Sequence, residues 1–364
     1  MKKTCLINNF ASHYRSSIFQ LLDNELDIDS YFGDKAGDIK KMDYSSLSQF
    51  KGELSNRIIF KPFYWQKGAV SLFFKNYNSY IITGEYFCVS TWVLLFLSKL
   101  TNKKVYLWTH GWYGNEGFFK IIIKKIFFNL SDGLLLYGNY AKELMIKEGF
   151  DDDKLHVIYN SLSYESQLKT RVKLQESNIY KNHFKNENPT LIFIGRLTKV
   201  KKLNQIIEAQ KELSNKSIEV NIVFVGEGEE KENIKTLAIE NGLKNIWFYG
   251  SCYNEEEIGK LIYNATMCVS PGNAGLTAMH SLVYGTPIIT HSDFSNQMPE
   301  FEAIETDVSG YFFIKDDVID LANKINSWLS KIDSRDAIRT NCFKIIDEKY
   351  NPDYQLKIFK GLFK

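Results

Sequence analysis

Short runs rich in β-branched and aromatic residues recur along this chain, each followed by a stretch with helical spacing, and the whole pattern runs twice. In the first half the runs are Thr4 to Ile7, Arg57 to Phe60, Tyr80 to Thr83, Val105 to Thr109, Gly133 to Tyr137 and Leu155 to Tyr159. Between them lie WVLLFLSKL, FFKIIIKKIFFNL and NYAKELMIKEG, the last closing on Gly149 as helix C-termini do. Strands separated by helices form parallel sheets covered on both faces. From Ser161 to Pro189 the sequence turns polar and loses any sustained apolar period, which reads as a linker region carrying a short helix. The pattern then restarts with LIFIG, VNIVFVG, NIWFYG, MCVSP and PIITH. The expected architecture is α/β, with doubly wound Rossmann-like domains over residues 1–165 and 190–340 and a linker region over 166–189. Residues 341–364 are expected as a C-terminal helix returning to the first domain.

Of the 364 residues, 44% are hydrophobic and 24% charged, enough apolar surface to offset the entropy of ordering the chain. A formal charge of +2 leaves no global field for a polyanion, so no nucleic acid partner is expected. Cys5, Cys88, Cys252, Cys268 and Cys342 show neither paired spacing nor a zinc pattern, which suits a reducing cytoplasm. The N-terminal apolar run is too short for a signal peptide, and Val93 to Leu97 falls well short of the roughly 20 residues that span a bilayer. Any membrane contact is therefore peripheral, on the inner face of the cell membrane. Two segments bear on it, Lys61 to Lys67 and FFKIIIKKIFF from Phe118, both interleaving aromatic and basic residues. The second reads equally as an interfacial helix or as a core helix with snorkelling lysines. Lysine and arginine outnumber aspartate and glutamate over residues 1–160, which would suit an anionic lipid surface.

Ligands of doubly wound sheets sit beyond the carboxyl ends of the strands, so the chemistry belongs to the loops there. Gly195-Arg196-Leu197-Thr198-Lys199-Val200-Lys201 follows LIFI directly. Arg196 offers a fork and Lys201 a point charge, a pair suited to a diphosphate, although charged residues after a strand are commonly a solvated loop. Val225-Gly226-Glu227-Gly228 is a GxG turn lacking the rest of a dinucleotide fingerprint. Tyr249 to Tyr253, including Ser251, could present groups to a base. Ser270 to Pro287 reads strand, glycine loop, short helix, stop. Here the N–H groups of Gly275, Leu276 and Thr277 can meet a phosphate at the positive end of the helix dipole. Asn273, Thr277, His280, Ser281 and Tyr284 form a polar stripe facing either solvent or a cleft. His110 ends a first-half strand beside tryptophans, and His13 and Arg15 lie just beyond the first strand.

Together these segments resemble the GT-B glycosyltransferases of family 4. The resemblance rests on Gly195-Arg196-Leu197 with Lys201, Val225 to Gly228, Phe248 to Gly250, Gly275-Leu276, Gly285-Thr286-Pro287, and Pro299-Glu300 with Gly310, over most of residues 190–315. The first half fits more loosely. The resemblance implies the GT-B fold, two Rossmann-like domains facing across a cleft. It also implies a retaining hexosyl transfer from a nucleoside-diphosphate sugar, weighted to UDP, to a saccharide or lipid-linked saccharide in bacterial surface polysaccharide biosynthesis. It gives His110, Arg196 and Lys201 catalytic roles. Gly195, Gly226, Ser251, Tyr253, Asn273, Gly275, Leu276, Thr277, His280 and Glu300 fall to the donor, and His13 and Arg15 to the acceptor. No cofactor and no metal are expected, since no DxD pair stands at a matching strand exit.

One departure is plain: two glutamates of the family, on the donor sugar and ribose, stand here as Gly272 and His280. His280 could still hydrogen-bond ribose hydroxyls, and Asn273 the sugar. The family's N-terminal glycine pair is replaced by Asn8-Asn9-Phe10-Ala11. A non-catalytic GT-B module that binds nucleotide or glycan for a partner enzyme therefore stays open; a nucleotide-sugar epimerase on the same fold is a third reading, against which the missing carboxylates count.

Overall fold

A computed structural model describes residues 3–35, 37, 39–331 and 334–363. They form two compact units, one built from residues up to Tyr164 together with those from Asn351 onward, the other from Glu165–Tyr350.

In the first unit the chain runs β1 (Thr4–Asn8), α1 (Ser16–Leu26), β2 (Asp29–Gly33), β3 (Phe50–Phe60), β4 (Phe63–Lys67), α2 (Ala69–Leu72), β5 (Ser79–Thr83) and α3 (Val89–Lys99). It continues through β6 (Lys104–Thr109), α4 (Phe118–Asn129), β7 (Gly133–Leu136), α5 (Asn139–Lys147) and β8 (Leu155–Val157). The sheet order is β4-β3-β2-β1-β5-β6-β7-β8, parallel except for the β3/β4 hairpin. β1, β2 and β7 are buried along their whole length, as strands covered on both faces must be. Neighbouring residues point to opposite faces, so Ile7, Ile82 and Leu107 enter one apolar layer with Leu94 and Phe127. Leu6, Ile81 and Trp108 enter the other, with Phe19.

The second unit runs α6 (Tyr164–Arg171), α7 (Ile179–Phe184), β9 (Thr190–Ile194), α8 (Asn204–Asn215), β10 (Asn221–Val225), α9 (Lys231–Glu240), β11 (Ile246–Gly250), α10 (Glu255–Asn264) and β12 (Met267–Ser270). It ends with α11 (Leu276–Val283), β13 (Ile288–His291), β14 (Gly310–Phe313), α12 (Val318–Leu329) and α13 (Arg335–Lys349). Its sheet is wholly parallel, in the order β11-β10-β9-β12-β13-β14.

Two boundaries differ from the sequence reading. Residues 166–189 are not a linker with one short helix, since α6 and α7 pack on the second unit through polar groups that no apolar period announces. Tyr180 donates its hydroxyl to Leu261 O at 2.6 Å, and the Ser177 N–H donates to Asn264 Oδ1 at 2.7 Å. Residues 341–364 are not one returning helix either. The chain stays with the second unit through α13, breaks at Tyr350-Asn351, and restarts as α14 (Pro352–Phe363). Proline fits the first turn of a new helix and cannot continue an old one. Asn351 caps it, accepting the Tyr354 N–H at 2.8 Å, and Leu356 and Phe359 join the apolar layer of α1.

Each sheet reverses its winding once. The chain leaves β1 toward β2 and returns on the other side at β5, and leaves β9 toward β10 and returns at β12. At such a switch point the two loops diverge and leave a crevice at the carboxyl ends of the strands.

Candidate functional site

In the second unit the crevice is built from backbone. Gly195 follows β9 with a φ of 145°, and Gly226 follows β10 with a φ of 148°. A Cβ on Gly226 would stand 1.9 Å from Gly195 O, one on Gly228 2.2 Å from Leu197 O, and one on Gly272 2.1 Å from Val200 O. Only glycine permits these contacts, so the GxG turn serves the packing of one strand exit on the next. The loops are tied by Leu197 N–H to Glu227 O at 2.9 Å and Gly272 N–H to Lys201 O at 3.0 Å. Lys201 extends its ammonium to Asn273 O at 2.7 Å and Asn273 Oδ1 at 2.8 Å. Burial lowers its pKa to about 8, against the opposing charge of buried Glu300 and with a further lowering by exposed Arg196. Arg196, Lys201, Asn273 and Glu300 thus form one cluster.

The α11 helix closes that crevice. Thr277 Oγ1 donates to Ile194 O at 3.0 Å, and Gln297 Oε1 takes the Ala274 N–H at 2.8 Å. The expected trio of phosphate-facing N–H groups needs one correction, because the Thr277 N–H is spent on Ala274 O at 3.2 Å. Gly275 and Leu276 keep theirs at the helix start. Nor does the polar stripe face solvent. Thr277, Ser281 and Tyr284 are buried, and Tyr284 donates to Glu255 Oε1 at 2.5 Å. The same oxygen lies 3.9 Å from His280 Nε2, so a carboxylate from the start of α10 stands behind the histidine. Burial lowers the His280 pKa and Glu255 opposes it. Glu255 and Gln297 escaped the sequence reading, Glu255 because it sits in an acidic run, Glu255 to Glu257, that looks like a solvated helix start. Ser251 and Tyr253 lie in the exposed loop after β11, Tyr253 at 89% exposure, with no side-chain hydrogen bond to the cluster among the described residues.

In the first unit the crevice is built from side chains. A pocket of about 350 Å³ opens beyond β1, β5 and β6, lined among others by Asn9, Arg15, Glu85, Trp108, His110 and Tyr137. The Arg15 guanidinium lies 4.4 Å from the Trp108 ring centroid and 5.7 Å from that of Tyr137. Burial, with Arg15 and Lys124 nearby, lowers the His110 pKa to about 4, so the imidazole is neutral at neutral pH. Glu85 accepts from Tyr64 Oη at 2.6 Å and Asn9 Nδ2 at 2.8 Å, and burial raises its pKa. His13 is exposed, holds Lys40 O through Nδ1 at 3.2 Å, and does not line the pocket. On α4 the pattern FFKIIIKKIFF divides between two faces, and Phe127 and Phe128 are buried in the apolar layer. Lys124 turns inward to Gly111 O and Glu116 Oε1, each at 2.6 Å, while Phe118, Phe119 and Ile126 are exposed.

Residues 175–344 match the family described as glycosyl transferases group 1. A protein of the capsule (cps) region of Klebsiella pneumoniae is 23% identical over 212 residues, 54% of this chain and 56% of its own length. The chain therefore spans little more than half of that relative. Among solved structures, HepE of Anabaena in complex with UDP and glucose aligns with a TM-score of 0.69 at 14% identity, covering 100% of this chain and 99% of its own. The lipopolysaccharide outer core galactosyltransferase WaaB aligns with a TM-score of 0.71 at 16% identity, covering 99% and 98%. With two doubly wound units of this order, the chain has the GT-B glycosyltransferase fold, and it is in the second unit that its sequence matches glycosyl transferases group 1.

Proposed function

We propose that this protein is a retaining glycosyltransferase that moves a hexosyl group from a UDP-sugar, held by the second unit, to a saccharide acceptor received by the first. One observation supports the reading: at the β9/β12 switch point Lys201 is bonded to Asn273 in the loop that opens α11, with Arg196 on the same strand exit as Lys201. A departing diphosphate gains negative charge, so fixed cations and a helix start favour the transition state over the ground state. These groups supply the charge stabilisation that a metal supplies elsewhere, and the proposed reaction needs neither metal nor cofactor. The neutral His110 can accept a hydrogen bond or a proton from the acceptor hydroxyl. UDP and glucose bound to HepE support the donor class, and the capsule-region relative supports a place in bacterial surface polysaccharide synthesis. Retention and a lipid-linked acceptor follow the family resemblance. Exposed Phe118, Phe119 and Ile126 beside Lys120 suit a peripheral contact with the cytoplasmic face of a membrane. No helix among the described residues is long and apolar enough to cross one.

The test is a thermal-shift titration with UDP-, GDP- and dTDP-sugars, followed by product analysis in excess chelator. A shift with the UDP-sugar, abolished in Arg196→Ala and Lys201→Ala, is expected. No shift with any donor would overturn the reading. A second reading, a non-catalytic nucleotide-binding module, is favoured by Gly272, where the Val200 carbonyl leaves no room for a carboxylate side chain. Tight nucleotide binding without turnover over a broad acceptor panel would select it.

A further inference from the structure

The pocket of the first unit holds more hydrogen-bond donors than the protein satisfies. Among the described residues, five buried side-chain nitrogens lack a partner: Arg15 Nε and Nη2, Trp108 Nε1, His110 Nδ1 and Arg339 Nε. The first four belong to three residues lining this one cavity. Buried polar groups are almost always paired, so a cluster of orphans in a cavity marks a place completed from outside. Arg339 is a different case, since its guanidinium already meets Glu176 and Asp336. Arg15 has no ion pair among the described residues, and its guanidinium lies over the Trp108 ring rather than against a counter-charge.

The geometry of the orphans indicates what is missing. Nε and Nη2 form one edge of the guanidinium, the edge that grips two oxygens of a carboxylate or phosphate at once. The carboxylate that lines the pocket, Glu85, already accepts from Tyr64 and Asn9, and burial pushes it toward its neutral form. Lys124 is neutralised by Glu116. The His110 imidazole is neutral and adds a polar ring nitrogen. At about 350 Å³ the space lies at the small end of ligand pockets, suited to one sugar ring and its substituent. A larger concavity of about 1200 Å³ lies at the opposite, amino end of the same sheet, against Lys3, Asp27 and Lys104, and no orphaned nitrogen belongs to its lining.

We infer that the pocket receives an anionic oxygen pair on the acceptor saccharide, a carboxylate or a phosphate, gripped by the Nε and Nη2 edge of Arg15. The inference rests on reading the first unit as the acceptor side. A neutral sugar would leave the fork buried and uncompensated.

The experiment is calorimetric titration of the whole protein with methyl glucuronide, glucose 1-phosphate and methyl glucoside at one ionic strength, with and without saturating UDP. Both acids, or one of them, should bind at least about tenfold more tightly than methyl glucoside, and the preferred acid names the source of the charge. Arg15→Gln should erase that preference, and Arg15→Lys, which keeps the charge without the fork, should restore part of it. UDP affinity, read in the same variants, should be unchanged and so shows that the protein is folded. Equal binding of the neutral glycoside, acid binding indifferent to Arg15→Gln, or no binding by any probe would overturn the inference. If the acids bind and UDP does not, the donor reading fails while the anion pocket stands; the converse leaves the donor reading alone.

Discussion

The crevices after β1/β5 and after β9/β12 occupy equivalent places in their sheets, yet they are made of different material. In the second unit glycines bring three strand exits into backbone contact, and Lys201 is held by the carbonyl and amide of Asn273. What remains there is a rigid frame of N–H groups with an exposed arginine. In the first unit the walls are side chains from loops far apart in sequence, with an arginine set against aromatic rings and no counter-ion among the described residues. A backbone frame suits a ligand part common to many substrates, a diphosphate. A side-chain pocket suits the part that differs from one substrate to the next.

The largest effect should come from the second crevice. Lys201→Ala combined with Arg196→Ala is expected to lower kcat/KM by about 10²- to 10³-fold, with the unliganded melting temperature little changed. Comparable loss of UDP affinity in Arg15→Gln would break the division of labour between the crevices. Next is Glu116→Gln in the first unit, which strands the buried Lys124 ammonium; Glu116 also takes the Tyr113 and Gly114 N–H groups. Urea unfolding should show a loss of about 3 to 5 kcal/mol, and adding Lys124→Met should recover most of it. Gly272→Ala forces a methyl group against Val200 O and should cost about 1 to 3 kcal/mol together with donor affinity.

The pH effects are smaller. Lys201 loses its proton as pH rises through about 8, so donor affinity should weaken above that value by a few-fold, measured as KM against pH. His110 has its pKa lowered from 6.5 to about 4, so the unfolded chain binds more protons across that window. Stability should fall as pH drops from 6.5 to 4, and His110→Asn should flatten that slope. An unchanged slope would mean that His110 is more solvated than its pocket suggests.

The second crevice was far more legible than the first. Gly195, Arg196, Lys201, Gly226, Asn273, Gly275 and Thr277 sit in short segments whose spacing fixes their place at strand ends, and the structure gathers Arg196, Lys201, Asn273 and Glu300 into one cluster. Glu255 was hidden because its partners, His280 on α11 and Tyr284 just beyond it, lie on a different element. His13 and Arg15 look alike as polar residues after a strand, and only the structure separates the exposed His13 from the Arg15 that enters the pocket. The linker reading failed for a similar reason, since α6 and α7 are held by single polar contacts that leave no periodic trace.

The sequence by itself determined the two doubly wound sheets and the glycine-packed crevice of the second unit. Both depend on local rules, alternation of strand and helix and the steric freedom of glycine, that act within a few residues. The tertiary structure alone decided which side chains meet. Sheet order sets β1 beside β5 and β5 beside β6, which carries Asn9, Glu85 and His110 into one pocket. The same packing leaves Arg15 on Trp108 without a counter-charge among the described residues, and burial of that kind is a property of neighbours in space rather than in sequence.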